Sequence, residues 1–336
     1  MPASYRIRLT CIACAAVALL SSALHAQPAA TDEDAVALAI ESELDRLMDP
    51  EVTAVHGEHV ALREPVQSFY AERKFRAAWS NERNASQLLR ALAESYDEGL
   101  DPKDYHYSVL EELTRRVGES EATNAERAQY DVLLTDALLR LAYHLSFGKV
   151  DPETFDPQWN YGRTLASRDV TQEIEEALAA EDIYERIDAL KPTQPLYVEL
   201  KRELARYRAV ASDNWPRIPG GTVLKPEMSD SRVPMLRARL IASGDLPAAE
   251  NGDSEHYDAS VVSAVRAFQR RMGLEDDGAL GPGTIEELNV APADRIRQLR
   301  VNLDRGRVLL HDLPAEYVVV NIAGFQIYYI REHKIV

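Results

Sequence analysis

V-P-M-L-R-A-R-L over residues 233–240 and Y-D-A-S-V-V-S-A-V-R-A-F-Q-R-R-M-G-L-E-D-D-G-A-L-G-P-G-T-I-E-E-L-N over 257–289 decide the fold of one part of this chain. Val233, Leu236 and Leu240 recur at three and four residues, the spacing of one buried helical face. Val261, Val265, Phe268 and Met272 repeat it on a second helix. Asp258 and Ser260 offer side-chain oxygens near its start, and Gly273 suits a left-handed cap at its end. Asp277-Gly278 makes a tight turn, and Gly281-Pro282 opens a short third helix, because proline is tolerated in a first turn. Three short helices enclose only a small core, so the pattern predicts a compact module attached to something larger.

The ordered set A-V-R-A-F-Q, D-G-x-L-G-P-x-T and L-N closely resembles the three-helix peptidoglycan-binding domain of bacterial cell-wall enzymes, here placed at 228–292. Most of these residues build the fold: Phe268 is expected in the core, and the glycines serve backbone geometry. The resemblance implies that the module as a whole binds a glycan strand or peptide stem of murein. Arg270, Arg271, Asp276 and Asp277, on the open side of the helices, are the expected binding residues.

Upstream, the reading is predominantly α-helical. Apolar spacings mark helices between Val66 and Trp79, around Leu88, Leu89, Leu92 and Tyr96, and from Glu126 to Phe147 through Tyr130, Leu134, Leu138, Leu141 and Leu145. Further helices follow Val170, Ile174 and Leu178, then Ile183, Ile187 and Leu190, then Leu196, Leu200, Leu204 and Tyr207. Residues 32–60 begin acidic and weakly helical, and stretches 99–106, 148–163 and 211–230 read as loops. F-Y-A-E-R-K-F-R-A-A-W (69–79), D-E-G-L-D-P-K-D-Y-H (97–106), F-G-K-V-D-P (147–152) and K-P-T-Q-P-L-Y-V-E-L (191–200) are similar to the helical scaffold domain of large murein L,D-transpeptidases. That resemblance places a scaffold at 32–215, ahead of the wall-binding module.

Residues 294–310, with I-R-Q-L-R-V-N-L-D-R-G-R, read as an amphipathic linking helix. Tyr317–Ile322 and Phe325–Ile330, parted by Ala323-Gly324, read as a β-hairpin that is marginal by itself. They resemble the opening strands of the family's β-rich catalytic domain, placed at 315–336. The family's catalytic histidine and S-x-G-C cysteine have no counterpart here; His311 and His333 lie too early, so no catalytic residue is assigned. The chain is therefore expected to be an interrupted member, inactive alone, whose complete form would cross-link stems through a cysteine acyl-enzyme. The alternative is a non-catalytic peptidoglycan-binding or scaffolding protein. The expected fold class is mainly α: scaffold, three-helix module and a C-terminal hairpin.

The N-terminus agrees with export. Arg6 and Arg8 precede the apolar run Cys11–Leu20, and the small residues to Ala26 suit cleavage, the layout of a signal peptide over 1–26. The resulting location is the periplasm, with membrane contact only through an uncleaved signal. Both cysteines, Cys11 and Cys14, lie inside that segment, so residues 27–336 hold no thiol for a disulfide, a zinc site or a nucleophile.

The chain carries 38 basic and 55 acidic residues, net −17. The first 26 hold two arginines and no acid, leaving 36 basic against 55 acidic, net −19. Nucleic acid is a poor partner for such a chain, since phosphate contacts need clustered Lys and Arg. Murein stems carry carboxylates too, so any groove must work against the overall field through local arginines. His56-Gly-Glu-His59 lacks the H-E-x-x-H pattern, so no metal or other cofactor is expected. Glu94 sits among ordinary surface acids, although its Glu-Ser context resembles that of some lytic transglycosylases. Asn84-Ala-Ser86 is a formal glycosylation sequon. Peptidoglycan is the expected partner, with other wall synthases as candidate associates.

Overall fold

A computed structural model of the chain describes residues 31–150, 169–210, 215–250, 252–310, 313–321, 325–332 and 334–336. The signal region, Cys11, Cys14, most of the 148–163 stretch, His311, His333 and the Ala323-Gly324 break lie outside the described residues. The described part is mainly helical, with a small C-terminal antiparallel sheet.

Helix α1 (Asp32–Leu47) is a full amphipathic helix rather than a weak one. Thr31 and Asp34 form a reciprocal capping box at its start, and Val36, Ile40, Leu44 and Leu47 are buried. Strands β1 (Ala54–Val55) and β2 (Glu58–His59) then pair antiparallel. Their two-residue connection, His56 and Gly57, has φ of 49° and 80°, as the turn matching strand twist demands. His56 contacts Gln129 and His59 contacts the Thr53 carbonyl, so both rings serve the hairpin.

Helix α2 (Arg63–Glu72) stops well short of Trp79. Lys74 and Phe75 take φ of 55° and 58°, turning the chain out of the helix without any glycine to announce it. Trp79 is nevertheless buried, its indole N–H donating to Thr135. Helix α3 (Glu82–Glu94) buries Leu88 and Leu92, whereas Tyr96 is exposed under the Arg208 guanidinium at 3.5 Å. Asn84 is buried and donates to the Leu178 carbonyl, which removes it as a glycan acceptor.

After α4 (Tyr107–Gly118) comes α5 (Asn124–Phe147), opened by a Thr123/Glu126 capping box and closed at Gly148. Its anticipated apolar face is buried, and so are Val132, Leu133, Ala137, Asp131, Thr135 and Asp136 on other sides. Helices α1 to α4 surround it, which makes α5 the axis of the scaffold. Buried His106 clamps hairpin to axis, with its ring nitrogens 2.8 Å from Asp136 and 3.0 Å from Glu58.

Helices α6 (Val170–Ala180) and α7 (Ile183–Asp188) cover α3, and α8 (Pro195–Val210) runs beside a later helix. In α8 the inward position belongs to Tyr197, not to Leu196, which is 59% exposed. Helices α9 (Val233–Ala242), α10 (Ala259–Arg271) and α11 (Pro282–Leu288) enclose a separate core around Leu236, Val265 and Phe268.

Helix α12 (Pro292–Leu309) returns to the scaffold and packs against α8 and α5. Two loops receive it. Lys149 and Val150 donate their backbone N–H groups to the Asp304 carboxylate at 2.8 and 3.2 Å, while Arg300 donates to the Gly99 carbonyl at 2.7 Å. Gly99 and Gly148 have positive φ, and a Cβ on either would meet Leu303 or Asp304 at 3.0 Å. The D-E-G-L and F-G-K-V phrases thus form the seat of α12.

Strands β3 (Glu316–Asn321) and β4 (Gln326–Arg331) pair with Tyr317 opposite Ile330, and β5 (Lys334–Ile335) adds a short third strand to the expected hairpin. Val318, Val320 and Ile327 are more than half exposed; among the described residues of the sheet, only Ile330 is buried. Among the described residues no helix is long and apolar enough to cross a membrane.

Candidate functional site

The three-helix module owes its shape to a buried glutamine. Gln269, 1% exposed on α10, accepts from the Gly278 N–H at 2.9 Å. Its amide nitrogen lies 3.0 to 3.2 Å from Asp277 Oδ1, the Ala279 carbonyl and Thr284 Oγ1. The A-F-Q run and the D-G-x-L-G-P-x-T turn are therefore one hydrogen-bonded unit. Gly278 is required there: φ is 75°, and a Cβ would lie 2.9 Å from Arg266. Replacing Gln269 with alanine orphans the Gly278 N–H and the turn carbonyl, so the module should lose about 2–4 kcal/mol. Urea unfolding followed through Trp215 fluorescence measures this.

A second set of bonds fixes a strap, residues 215–224, across the helices. Trp215 donates from its indole to the Val290 carbonyl at 3.1 Å, beneath the Arg239 guanidinium at 3.6 Å. Arg239 is 2% exposed, and burial pulls its pKa down to about 10. Asn289, the end of the L-N signature, pairs twice with Ile218: its Oδ1 accepts from the backbone N–H and its Nδ2 donates to the carbonyl, both at 2.8 Å. Arg232 donates to the Thr222 carbonyl at 2.7 Å, and Leu224 exchanges backbone hydrogen bonds with Leu280.

Between strap and helices lies an open groove of about 530 Å³. Arg217, Pro219 and Gly220 form one wall, Met235 on α9 another, and Ile285 on α11 with Asn289 just past its end the third. None of these side chains is a nucleophile or general base. The groove offers a cation, an apolar floor and backbone polar groups, which suits recognition rather than chemistry.

The sequence-derived residues sit elsewhere, at the far end of α10, and divide into two pairs. Arg270 and Asp276 form an exposed ion pair at 3.0 Å. Arg271 instead reaches inward to Asp245 at 2.6 Å and toward Glu203 of α8 at 3.8 Å. Asp277 accepts from Ala279 N–H at 2.8 Å and from Gln269, which together hold its carboxyl below the ordinary value. Reading by spacing missed Arg217 and its neighbours because they stand in a Pro/Gly-rich stretch. Trp215 and Ile218 inside that stretch were the available signal, since large apolar residues in a loop imply that it packs on something.

Glu94 lies on the scaffold with its carboxylate 2.6 Å from the Tyr184 hydroxyl and 2.9 Å from Arg90. Burial pushes its pKa up, but the Tyr184 and Arg90 hydrogen bonds outweigh it and the net shift is downward. A glycosidase acid needs the opposite shift. Among the described residues no group of three or more His, Cys, Asp or Glu is arranged to hold a metal ion.

Comparison with known proteins adds to this geometry. Residues 64–204 match the family model described as a scaffold domain, and residues 229–288 match that of a putative peptidoglycan binding domain. A probable N-acetylmuramoyl-L-alanine amidase of Bacillus licheniformis is 36% identical over 86 residues, 25% of this chain and 24% of that protein. The N-acetylmuramoyl-L-alanine amidase CwlL of the same organism is 42% identical over 69 residues, 20% of this chain and 19% of that protein. The chain therefore spans about a quarter or less of the length of these relatives. Together the matches support a protein associated with cell-wall peptidoglycan.

Proposed function

We propose that the chain is an exported protein of the murein L,D-transpeptidase kind, attached to peptidoglycan through its three-helix module. One observation carries this reading: a scaffold-domain match over 64–204 precedes a peptidoglycan-binding match over 229–288, in the order that the loop phrases suggest. The proposed division is a signal at 1–26, the scaffold at 32–215, the module at 228–292, the linking helix at 294–310 and the first strands of a catalytic domain at 315–336. The proposed location is the periplasm. The overlaps with the amidases, 86 and 69 residues, are of module size, which favours a shared means of wall attachment over shared hydrolysis.

Stem cross-linking through an acyl-enzyme needs a thiolate beside a general base and donors for the oxyanion. Residues 27–336 contain no cysteine, so this polypeptide's own part is attachment and positioning. That favours a second reading, a non-catalytic wall-binding or scaffolding protein. The exposed Arg270–Asp276 pair, with Arg271 and Asp277 behind it, is proposed as an additional contact surface for murein or for other wall synthases.

Retention on purified sacculi is the test. The intact chain should co-sediment, and a variant lacking residues 230–290 should stay in the supernatant, with scaffold helicity unchanged by circular dichroism. The purified 336-residue chain should create no 3-3 cross-links. Equal retention of both forms removes the attachment reading, and new cross-links remove the positional one.

A further inference from the structure

The groove beneath the strap carries a cationic side chain, and the inference drawn from it rests on the wall-attachment reading and deepens it. Arg217 lies outside the matched 229–288 segment, in the wall of the groove, and engages no carboxylate among the described residues. Its situation contrasts with other arginines of the module. Arg232 is paired with Asp230 at 2.8 Å, Arg237 with Asp258, Arg270 with Asp276 and Arg271 with Asp245, while Arg239 and Arg266 donate to the Leu288 and Asp277 carbonyls. In a chain of net charge −17, a guanidinium beside a cavity with no carboxylate partner among the described residues is a local reversal of the field.

The backbone beside it points the same way. The Gly220 and Gly221 N–H groups donate to no acceptor among the described residues, and both glycines are exposed. The Arg232 guanidinium packs against the turn, so that a Cβ at residue 221 would lie 2.6 Å from it. Asn289 spends one amide donor and one acceptor on Ile218, which keeps the strap closed. Met235 and Ile285 supply apolar surface.

We propose that this groove binds the C-terminal carboxylate of a murein stem peptide, with Arg217 and the Gly220 N–H on the carboxylate and an aliphatic residue of the stem on Met235 and Ile285. A guanidinium matches a carboxylate in fork geometry, and a charge-assisted bond of this kind is stronger than a neutral one. The strap is fixed before binding by Trp215, Ile218, Thr222 and Leu224, so little ordering is needed on association.

The experiment titrates the full chain with a synthetic stem tetrapeptide in free-acid and carboxamide forms, by calorimetry, beside sacculus co-sedimentation. The wild type should bind the free acid about tenfold more tightly than the carboxamide, and Arg217→Gln should abolish that preference. Arg217→Lys should restore part of it, since charge survives and the fork does not. Arg217 is exposed, so neither variant should disturb folding. Equal affinity for the two peptide forms, or an unaltered preference in Arg217→Gln, overturns the carboxylate assignment while sacculus retention stands. Loss of retention by the wild type overturns the attachment reading itself.

Discussion

Replacing Asp131 with alanine is expected to destabilise the helical scaffold by about 3–5 kcal/mol, one of the two largest effects proposed for this chain. Asp131 is 4% exposed on the axial helix α5. Its carboxylate accepts from the backbone N–H groups of Ala78 and Trp79 at 2.7 and 3.0 Å, and from the Tyr70 hydroxyl at 2.7 Å. Without it, two backbone donors lose their partners inside the core, each at roughly 1–3 kcal/mol. Tyr70 keeps the Asp131 carbonyl and Thr135, so its loss is smaller. Asparagine retains one acceptor but turns an N–H₂ toward one of the backbone donors, and about half the loss should remain. Thermal unfolding followed by circular dichroism checks both variants; a shift within error for alanine refutes the account.

The same residue gives a pH dependence with a definite sign. Burial raises the Asp131 pKa, against the opposing hydrogen bonds of Ala78, Tyr70 and Trp79. A raised folded-state value means that the native state holds the proton more tightly than the unfolded chain. The stabilisation from that proton is complete below the ordinary carboxylate value and is lost as pH rises through the folded value. The margin of the wild type over Asp131→Asn should therefore narrow on going from acid toward neutrality. Burial decides the proton, whereas the hydrogen bonds decide the fold.

The second large effect concerns Arg307. It is 1% exposed on α12, donating to the Glu98 carbonyl and, at 3.1 Å, to Asp304, with its guanidinium 5.9 Å from the Tyr197 ring. Asp304 in turn receives Lys149 and Val150. Arg307→Ala orphans the buried Glu98 carbonyl and takes the counter-charge from partly buried Asp304, a loss of about 3–5 kcal/mol. The apolar anchorage of α12 is thin, with Leu303 fully buried and Ile296, Leu299 and Leu310 only partly so. The helix should therefore leave its seat locally, ahead of any unfolding of the scaffold. Trypsin should then cut at Arg295, Arg297, Arg300 and Arg305 about a hundredfold faster than in the wild type. Unchanged protection would show that α8 alone retains the helix.

Much of this organisation was legible in the residues. Spacing at three and four located the helices because each buries one stripe, and the Asp258, Gly273 and Pro282 signals fell at real termini. What escaped had physical causes. Lys74 and Phe75 end α2 in a left-handed conformation that neither residue type advertises. Helix α5 is enclosed on nearly all sides, so Asp131, Thr135 and Asp136 occupy a face that reads as solvated but is packed. Arg271 and Asp277 read as surface charges, yet the chain folds them against Asp245 and Gln269. Arg217 escaped because its setting depends on Met235, Ile285 and Asn289, all distant in sequence, and no local pattern encodes that.

The module is gripped on both flanks. On one side Arg206 of α8 donates to the Ser243 carbonyl at 2.6 Å, and on the other α12 is locked into the scaffold loops. A domain hung from a flexible leash dilutes whatever it carries through the volume the leash can sweep, whereas one bolted at two points confines it to a single spot. Capture of the wall by this chain would thus fix the height and bearing of α12, so that local concentration is dictated by architecture rather than by diffusion.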